Sequence, residues 1–454
     1  MDTYYRVKNE TVIDEYLNLM KILMITYRFP PYNSSGAIRC GKMAKYLIEL
    51  GHEVHVISCK DQPLQKSLPL EIPEKYVTYT DWWNINAPVE KLLGGREKVV
   101  REGLYSAIKK PGLKSKILKV LGKLYKDMLH MPDAQVGWQR AATKKGIEIA
   151  EKWQPDVIYA SAHPISSFVV ANNISRKTGV WWIGELRDLW TDSPYSTCPV
   201  WRKPIENYWE RKLFSKASAL TTITDHSAEL LAKKYDCPIE VILNGFDTKD
   251  FEMNDFSPNI DEGFIDDGVN ILYAGMIYPG RRDPASLLIA LSQLPDRLKS
   301  KVKLHFYGTQ MSSVIEKVQA LGIMEHVSIN DSIAYKDILA LQQKADVLLL
   351  LMWNDPQEKG TFTGKFFEYI GARRPILCIG GTNSPPAKLI IERDLGVVLY
   401  EPEEIKVYLE EIIQIKDEKG SLQKTSANAG KGLTRKDQAE KLSSFLSKVI
   451  SDGK

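Results

Sequence analysis

A chain of 454 residues with 44% apolar side chains is long enough for two or three domains and rich enough in apolar groups for ordinary cores. Its net charge of +4 is too small for this length to argue for nucleic acid, and its five scattered cysteines show neither CxxC nor the Cys/His spacing of a zinc site, as expected of free thiols in a reducing cytosol. No apolar run approaches the roughly 18 to 20 residues of a membrane span, and the N-terminus lacks a basic region followed by a hydrophobic one, so the expectation is a cytoplasmic protein.

Residues 1–19 are polar and aperiodic and read as an N-terminal extension, with Met20 a candidate start. From Met20 the run MKILMIT predicts a first strand, followed by Pro30, Pro31, Ser34, Ser35 and Gly36, a helix ending at Gly51, and a second strand at 52–58. This compact βαβ unit lacks GxGxxG, so a dinucleotide site of the NAD type is not expected. Residues 62–132 break the rhythm with prolines and tryptophans and read as an insertion. Within it, 96–126 carries ten Lys/Arg against two Glu. Ile117, Leu118, Leu121 and Leu124 recur there at helical spacing beside Lys114, Lys116, Lys119 and Lys123. Such a helix either packs its leucines on the domain or lies on anionic lipid, where each cation near the surface adds on the order of 1 kcal/mol.

The α/β rhythm resumes with strands at 155–161, 180–183, 219–224 and 239–243, each followed by polar residues: His163, then Glu185, Arg187 and Asp188, then Asp225, then Asn244 and Asp247. Residues 248–268 are acidic and aperiodic and read as a linker. A second series follows, with strands at 270–274, 302–307, 327–329, 345–351, 375–379 and 396–399, and a last helix from Thr434 in the 426–454 segment, placed to return toward the first domain. The domains expected are therefore 20–247 and 269–425. Within the second, the apolar run DVLLLLMW (346–353) leads into GTFTGKFFEYIG (360–371), a glycine-rich turn that opens a helix. A helix start at the carboxyl end of a parallel strand has unpaired amides and a dipole that favours anions. Phosphate at Thr363, Gly364 and Lys365 with sugar hydroxyls at Glu368 together describe a nucleotide sugar. Taken singly, the glycines are ordinary turn formers and Glu368 a solvated helix residue.

Six stretches in order, FPPYNSSG (29–36), SAHP (161–164), ELRDLW (185–190), VILNGFD (241–247), YAGMIYPGRRDP (273–284) and TGKFFEYIGARRPIL (363–377), resemble the GT-B retaining glycosyltransferases of family four, and more closely the bacterial surface-polysaccharide branch related to fucosaminyltransferases. The resemblance implies an α/β protein of two Rossmann-like, doubly wound domains facing across a cleft. It implies transfer of a hexosyl or N-acetylhexosaminyl group from a nucleotide-sugar donor to a glycan or lipid-linked acceptor, in synthesis of a capsule, O-antigen or exopolysaccharide at the inner face of the membrane. It assigns Ser35 and Gly36 to the donor diphosphate and acceptor and His163 to the donor sugar. Glu185, Arg187 and Asp188 fall to the acceptor side, Arg281 and Arg282 to the phosphates, and Glu368 to the ribose. Two positions depart from the family pattern: Met276 stands for its first arginine and Gly360 for its first glutamate. Asp-x-Asp occurs nowhere, so no metal and no cofactor beyond the donor is expected, with Arg281, Arg282, Lys365 and the helix start meeting the leaving diphosphate instead. A sugar-nucleotide epimerase of the same fold and a catalytically silent binding subunit are the other readings.

Overall fold

The computed structural model describes residues 19–87, 122, 124–125, 127–193, 196, 198–252, 263–355 and 360–452. Short, mostly buried apolar runs pair in parallel, most of them joined by a crossover helix that covers the sheet. The first sheet holds β1 (Lys21–Thr26), β2 (Glu53–Cys59), β3 (Val77–Thr80), β4 (Val157–Ala162), β5 (Trp182–Leu186), β6 (Ala219–Thr222) and β7 (Ile239–Val241), in the order β3-β2-β1-β4-β5-β6-β7. The second holds β8 (Val269–Ala274), β9 (Val302–Tyr307), β10 (Val327–Asn330), β11 (Val347–Leu351), β12 (Ile376–Ile379) and β13 (Gly396–Leu399), in the order β10-β9-β8-β11-β12-β13. Both are Rossmann-like. The strand order reverses between β1 and β4 in one and between β8 and β11 in the other, and a crevice opens at such a reversal.

Two apolar layers flank each sheet. Phe168, Trp182 and Phe214 fill one side of the first, and Met24, Met43 and Leu47 the other. The helix Arg435–Asp452 belongs to this second layer. It packs on the helix Ser35–Glu49 and places Ala439, Leu442, Leu446 and Val449 in the core of the first unit, with His52 Nε2 hydrogen-bonded to Ser443 Oγ at 2.7 Å. Its start is fixed by reciprocal bonds, Asp437 N to Thr434 Oγ1 at 3.1 Å and Thr434 N to Asp437 Oδ2 at 2.9 Å, the pattern of a capping box. The chain therefore crosses between the units twice, and the crossings are joined by Phe246 N to Leu433 O and Arg435 N to Phe246 O.

The stretch from 62 is not wholly an insertion. Val77–Thr80 adds to β2 as the edge strand β3, four residues that alternate weakly because only Thr80 is buried. The basic segment 96–126 and the extension 1–19 lie almost entirely outside the described residues. Among the described residues no helix is long and apolar enough to cross a membrane.

Candidate active site

The wall given by the second unit is built on the turns after β8 and β11. Thr363 is extended and precedes the helix Gly364–Ala372; its side chain makes no capping bond, and its buried hydroxyl has no hydrogen-bond partner among the described residues. A Cβ on Gly364 would meet only open space, so the helix start faces the cleft unobstructed. Lys365 turns back toward β8. Its ammonium lies 3.9 Å from the centre of the Tyr273 ring, and a Cβ on Gly275, at φ +137°, would come within 2.5 Å of Nζ. Glycine is required there both by the conformation and by the approach. Burial, then the neighbouring Arg282, pushes the Lys365 ammonium down to about 7. Arg281 stacks on Trp353 at 4.6 Å and Arg282 lies by Tyr278 at 5.7 Å, so aromatic rings hold both guanidinium groups. Glu368, deeper in the helix, accepts from Gln342 Nε2 at 3.3 Å. Burial raises its carboxyl above the usual range, against the opposing pull of Gln342, Arg435 and Lys365.

The opposite wall comes from turns after β1, β4 and β5. Ser34 caps the helix Ser35–Glu49 by accepting from Ala37 N at 3.2 Å, which leaves Ser35 exposed at the cleft. Arg187 ties the turns together, donating from Nε to Ala162 O at 2.6 Å and from Nη2 to His163 O at 3.3 Å. Its Nη1 stands 2.7 Å from where a Cβ on Gly36 would be. The charges of Asp188, Arg187, Asp133 and Arg28 act on the His163 ring, but burial is the main influence and lowers its pKa, which keeps it neutral near pH 7. Asp133 accepts from Ser166 N and Oγ, both at 2.7 Å, and from Gln135 N at 2.9 Å, and its carboxyl is raised by burial.

One cleft of about 1130 Å³ joins the walls, and Ser35, His163, Asp188, Arg281, Arg282, Thr363 and Gly364 all line it. Asp188 is close enough across it to favour the charged form of Arg282. Gly36, Arg187, Lys365 and Glu368 stand behind this lining. Glu185, expected on the acceptor side, does not line the cleft. It is 2% exposed, pairs with Arg39 at 2.6 Å, and accepts from Tyr159 Oη at 2.7 Å and Ser161 Oγ at 2.6 Å. Burial alone would raise it, but Arg39 wins and brings it to about 2. The reason is register: Glu185 pairs with Ser161 inside a sheet covered on both faces, so its side chain points into the protein rather than past the strand end. Gly360 lies against the first unit, where its carbonyl accepts from Thr224 Oγ1 at 3.4 Å.

Sequence reading missed Arg28 and Asp133. Arg28 follows β1 directly, a position that the strand-end rule could have flagged, whereas Asp133 sits in a stretch without periodicity. It also missed Asp127, His130, Arg202 and Glu206, which line the same cleft.

Residues 115–250 match the profile of Glycosyltransferase Family 4. No curated protein sequence matches the chain. Solved structures match almost all of it. A sucrose-phosphate synthase from Thermosynechococcus elongatus is 13% identical, covers 95% of this chain and 100% of its own, and superposes with a TM-score of 0.60. Anabaena HepE in complex with UDP-glucose is 16% identical over 94% and 100%, with a TM-score of 0.59. A glycosyltransferase from Rickettsia africae is 14% identical over 95% and 99%, with a TM-score of 0.57. At such identities the likeness is one of fold, and that fold is GT-B: two Rossmann-like units facing across a cleft.

Proposed function

We propose that this chain is a glycosyltransferase that moves a hexosyl or N-acetylhexosaminyl group from a nucleotide sugar to a glycan or lipid-linked acceptor in bacterial surface-polysaccharide synthesis, with retention at the anomeric carbon and without a metal. The observation that carries the reading is the meeting in one cleft of the open helix start at Thr363–Gly364 and the cations Arg281 and Arg282 with His163 and Asp188 of the other unit. Unpaired amides and two guanidinium groups held beside aromatic rings suit a diphosphate. Lys365 behind them adds a cation that the anion itself would stabilise. To Glu368, behind the lining, we assign the ribose hydroxyls, and the family profile matched over residues 115–250 together with a similar solved structure in complex with UDP-glucose supports a nucleotide-sugar donor.

In the transfer the bond from the anomeric carbon to the diphosphate oxygen breaks while the acceptor oxygen bonds to the same face. The acceptor proton passes to the departing phosphate oxygen, so no enzyme nucleophile is needed. Arg281, Arg282 and the helix start meet the charge that develops on the leaving group in positions fixed beforehand, which lowers the barrier without reorganisation. His163, neutral and with its backbone carbonyl bonded to Arg187, would hydrogen-bond the donor sugar.

The test is incubation with a panel of labelled UDP-, GDP- and dTDP-sugars, with and without lipid-linked saccharide acceptors, and mass spectrometry of the products. Acceptor-dependent transfer with retained configuration is expected. Epimerised nucleotide sugar with no need of acceptor, or donor binding with no product at all, overturns the proposal.

A further inference from the structure

A second cavity opens at the far end of the helix Gly364–Ala372, whose start faces the cleft. It measures about 480 Å³, shares no lining residue with the cleft, and falls within the roughly 300 to 1,000 Å³ of small-molecule sites. Both crossings of the chain wall it, with Phe246 and Phe251 on the first and Gly430 and Lys431 on the second, and Ile370 and Arg373 close it at the helix end. Its apolar side is aromatic because two glycines make room. A Cβ on Gly371 would come within 2.3 Å of the Phe251 ring and one on Gly430 within 2.8 Å of the Phe246 ring; neither glycine has a positive φ, so space rather than conformation is what they supply. The two rings meet edge to face with centroids 6.3 Å apart, and Gln343 Nε2 donates to Phe251 O at 3.0 Å, which fixes the backbone of one of them.

The polar side is cationic. Arg373, Lys424 and Lys431 line the cavity with a single carboxylate, Glu252. Arg373 ends the helix in the left-handed conformation, φ +57°, and commits Nε to Thr425 O at 3.3 Å. Its terminal nitrogens and the ammonium groups of Lys424 and Lys431 have no hydrogen-bond or ion-pair partner among the described residues. Three cations outweigh one carboxylate and the negative end of the helix dipole, so the cavity favours an anion. We propose that it is a second ligand site, for a small anion with an aromatic or apolar body: the acidic group, a carboxylate, sulfonate or phosphate, meets Arg373, Lys424 and Lys431, and the body lies on Phe246, Phe251 and Ile370. A neutral ligand of the same shape would leave the cations unpaired and is the poorer occupant. Because the two crossings and the helix end all contribute walls, the ligand touches the joint between the units rather than either unit alone. The inference stands whether or not the chain transfers a sugar.

Fluorescence titration of the full chain with 8-anilinonaphthalene-1-sulfonate, an aromatic anion, tests it, with N-phenyl-1-naphthylamine as the neutral counterpart and with excess UDP present to fill the cleft. One saturable site for the sulfonate is expected, with the neutral compound weaker by about tenfold or more. Lys424→Glu with Lys431→Glu should weaken the sulfonate by about tenfold or more through reversed charge. Thr248→Trp, at an exposed wall of the cavity, should abolish the site by filling it. Both variants should keep the wild-type circular dichroism and UDP affinity, and because they locate the site, the result does not depend on the cleft taking UDP. Wild-type protein with no saturable site overturns the proposal. So do a neutral compound that binds as tightly as the sulfonate, and variants that bind the sulfonate as well as wild type.

Discussion

The guanidinium of Arg187 occupies the space beside Gly36 that any side chain would need, with Nη1 2.7 Å from the site of a Cβ. Three turns at the carboxyl ends of β1, β4 and β5 are joined through that contact, because the same guanidinium donates to Ala162 and His163. Gly36→Ala should therefore push Arg187 off the His163 turn. Turnover is expected to fall roughly tenfold or more, since small displacements of positioning groups are costly, while the urea midpoint moves little. Wild-type kcat in the alanine variant sinks the idea.

Lys365 makes donor binding depend on pH. In the free protein burial beside Arg282 brings its ammonium down to about 7, and a diphosphate beside it favours the charged form. Binding should take up a proton and weaken as pH rises from about 6 to about 9. Calorimetry in buffers of different ionisation heat counts that proton; identical heats across buffers exclude it. The folded pKa lies below the unfolded value of about 10.4, so the unfolded chain binds more protons between them and stability rises with pH across that window. Lys365→Met should be more stable than wild type near pH 6, lose that advantage toward pH 10, and bind UDP poorly.

Glu185 is predicted to matter for stability rather than for acceptor recognition. Glu185→Gln leaves the Arg39 guanidinium buried and unpaired, which costs about 3 to 5 kcal/mol. The wild-type carboxylate titrates at about 2 when folded against 4.5 as the ordinary value, so its contribution is complete above about pH 4.5 and lost as pH falls through 2. Urea titrations at neutral and acid pH should show the glutamine variant weaker at pH 7 and the gap closing in acid. A gap independent of pH contradicts this.

Arg281→Ala with Arg282→Ala should loosen UDP by roughly 10- to 100-fold, because charge-assisted bonds from two guanidinium groups are removed. Glu368→Gln should loosen it by roughly 1.5 to 3 kcal/mol through loss of a charged acceptor. Activity of the wild type should persist in EDTA; strict dependence on added magnesium or manganese would displace the arginine clamp from its role.

The alternation of apolar runs and helices made twelve of the strands legible, because a parallel strand covered on both faces is mostly apolar, as VLLLL is at β11. The strand β3 was not legible: VTYT at a sheet edge is neither apolar enough nor regular enough to stand out. The helix start at Thr363 could be read from its turn and from the strand before it. That Lys365 folds back onto Tyr273 could not, since the contact depends on Gly275, ninety positions earlier in the chain. Glu185 misled because ELRDLW straddles a strand end: Arg187 and Asp188 lie past it, and Glu185 is still inside.

The eighteen-residue helix Arg435–Asp452 completes a core whose other members begin at Met20. Synthesis runs from the N-terminus, so the layer formed by Met43 and Leu47 waits uncovered on the ribosome until the whole second unit has been made and the final helix emerges. The first unit is translated before the second yet closes after it. Nascent chains halted before Thr434 should expose that layer to proteases that the released protein resists.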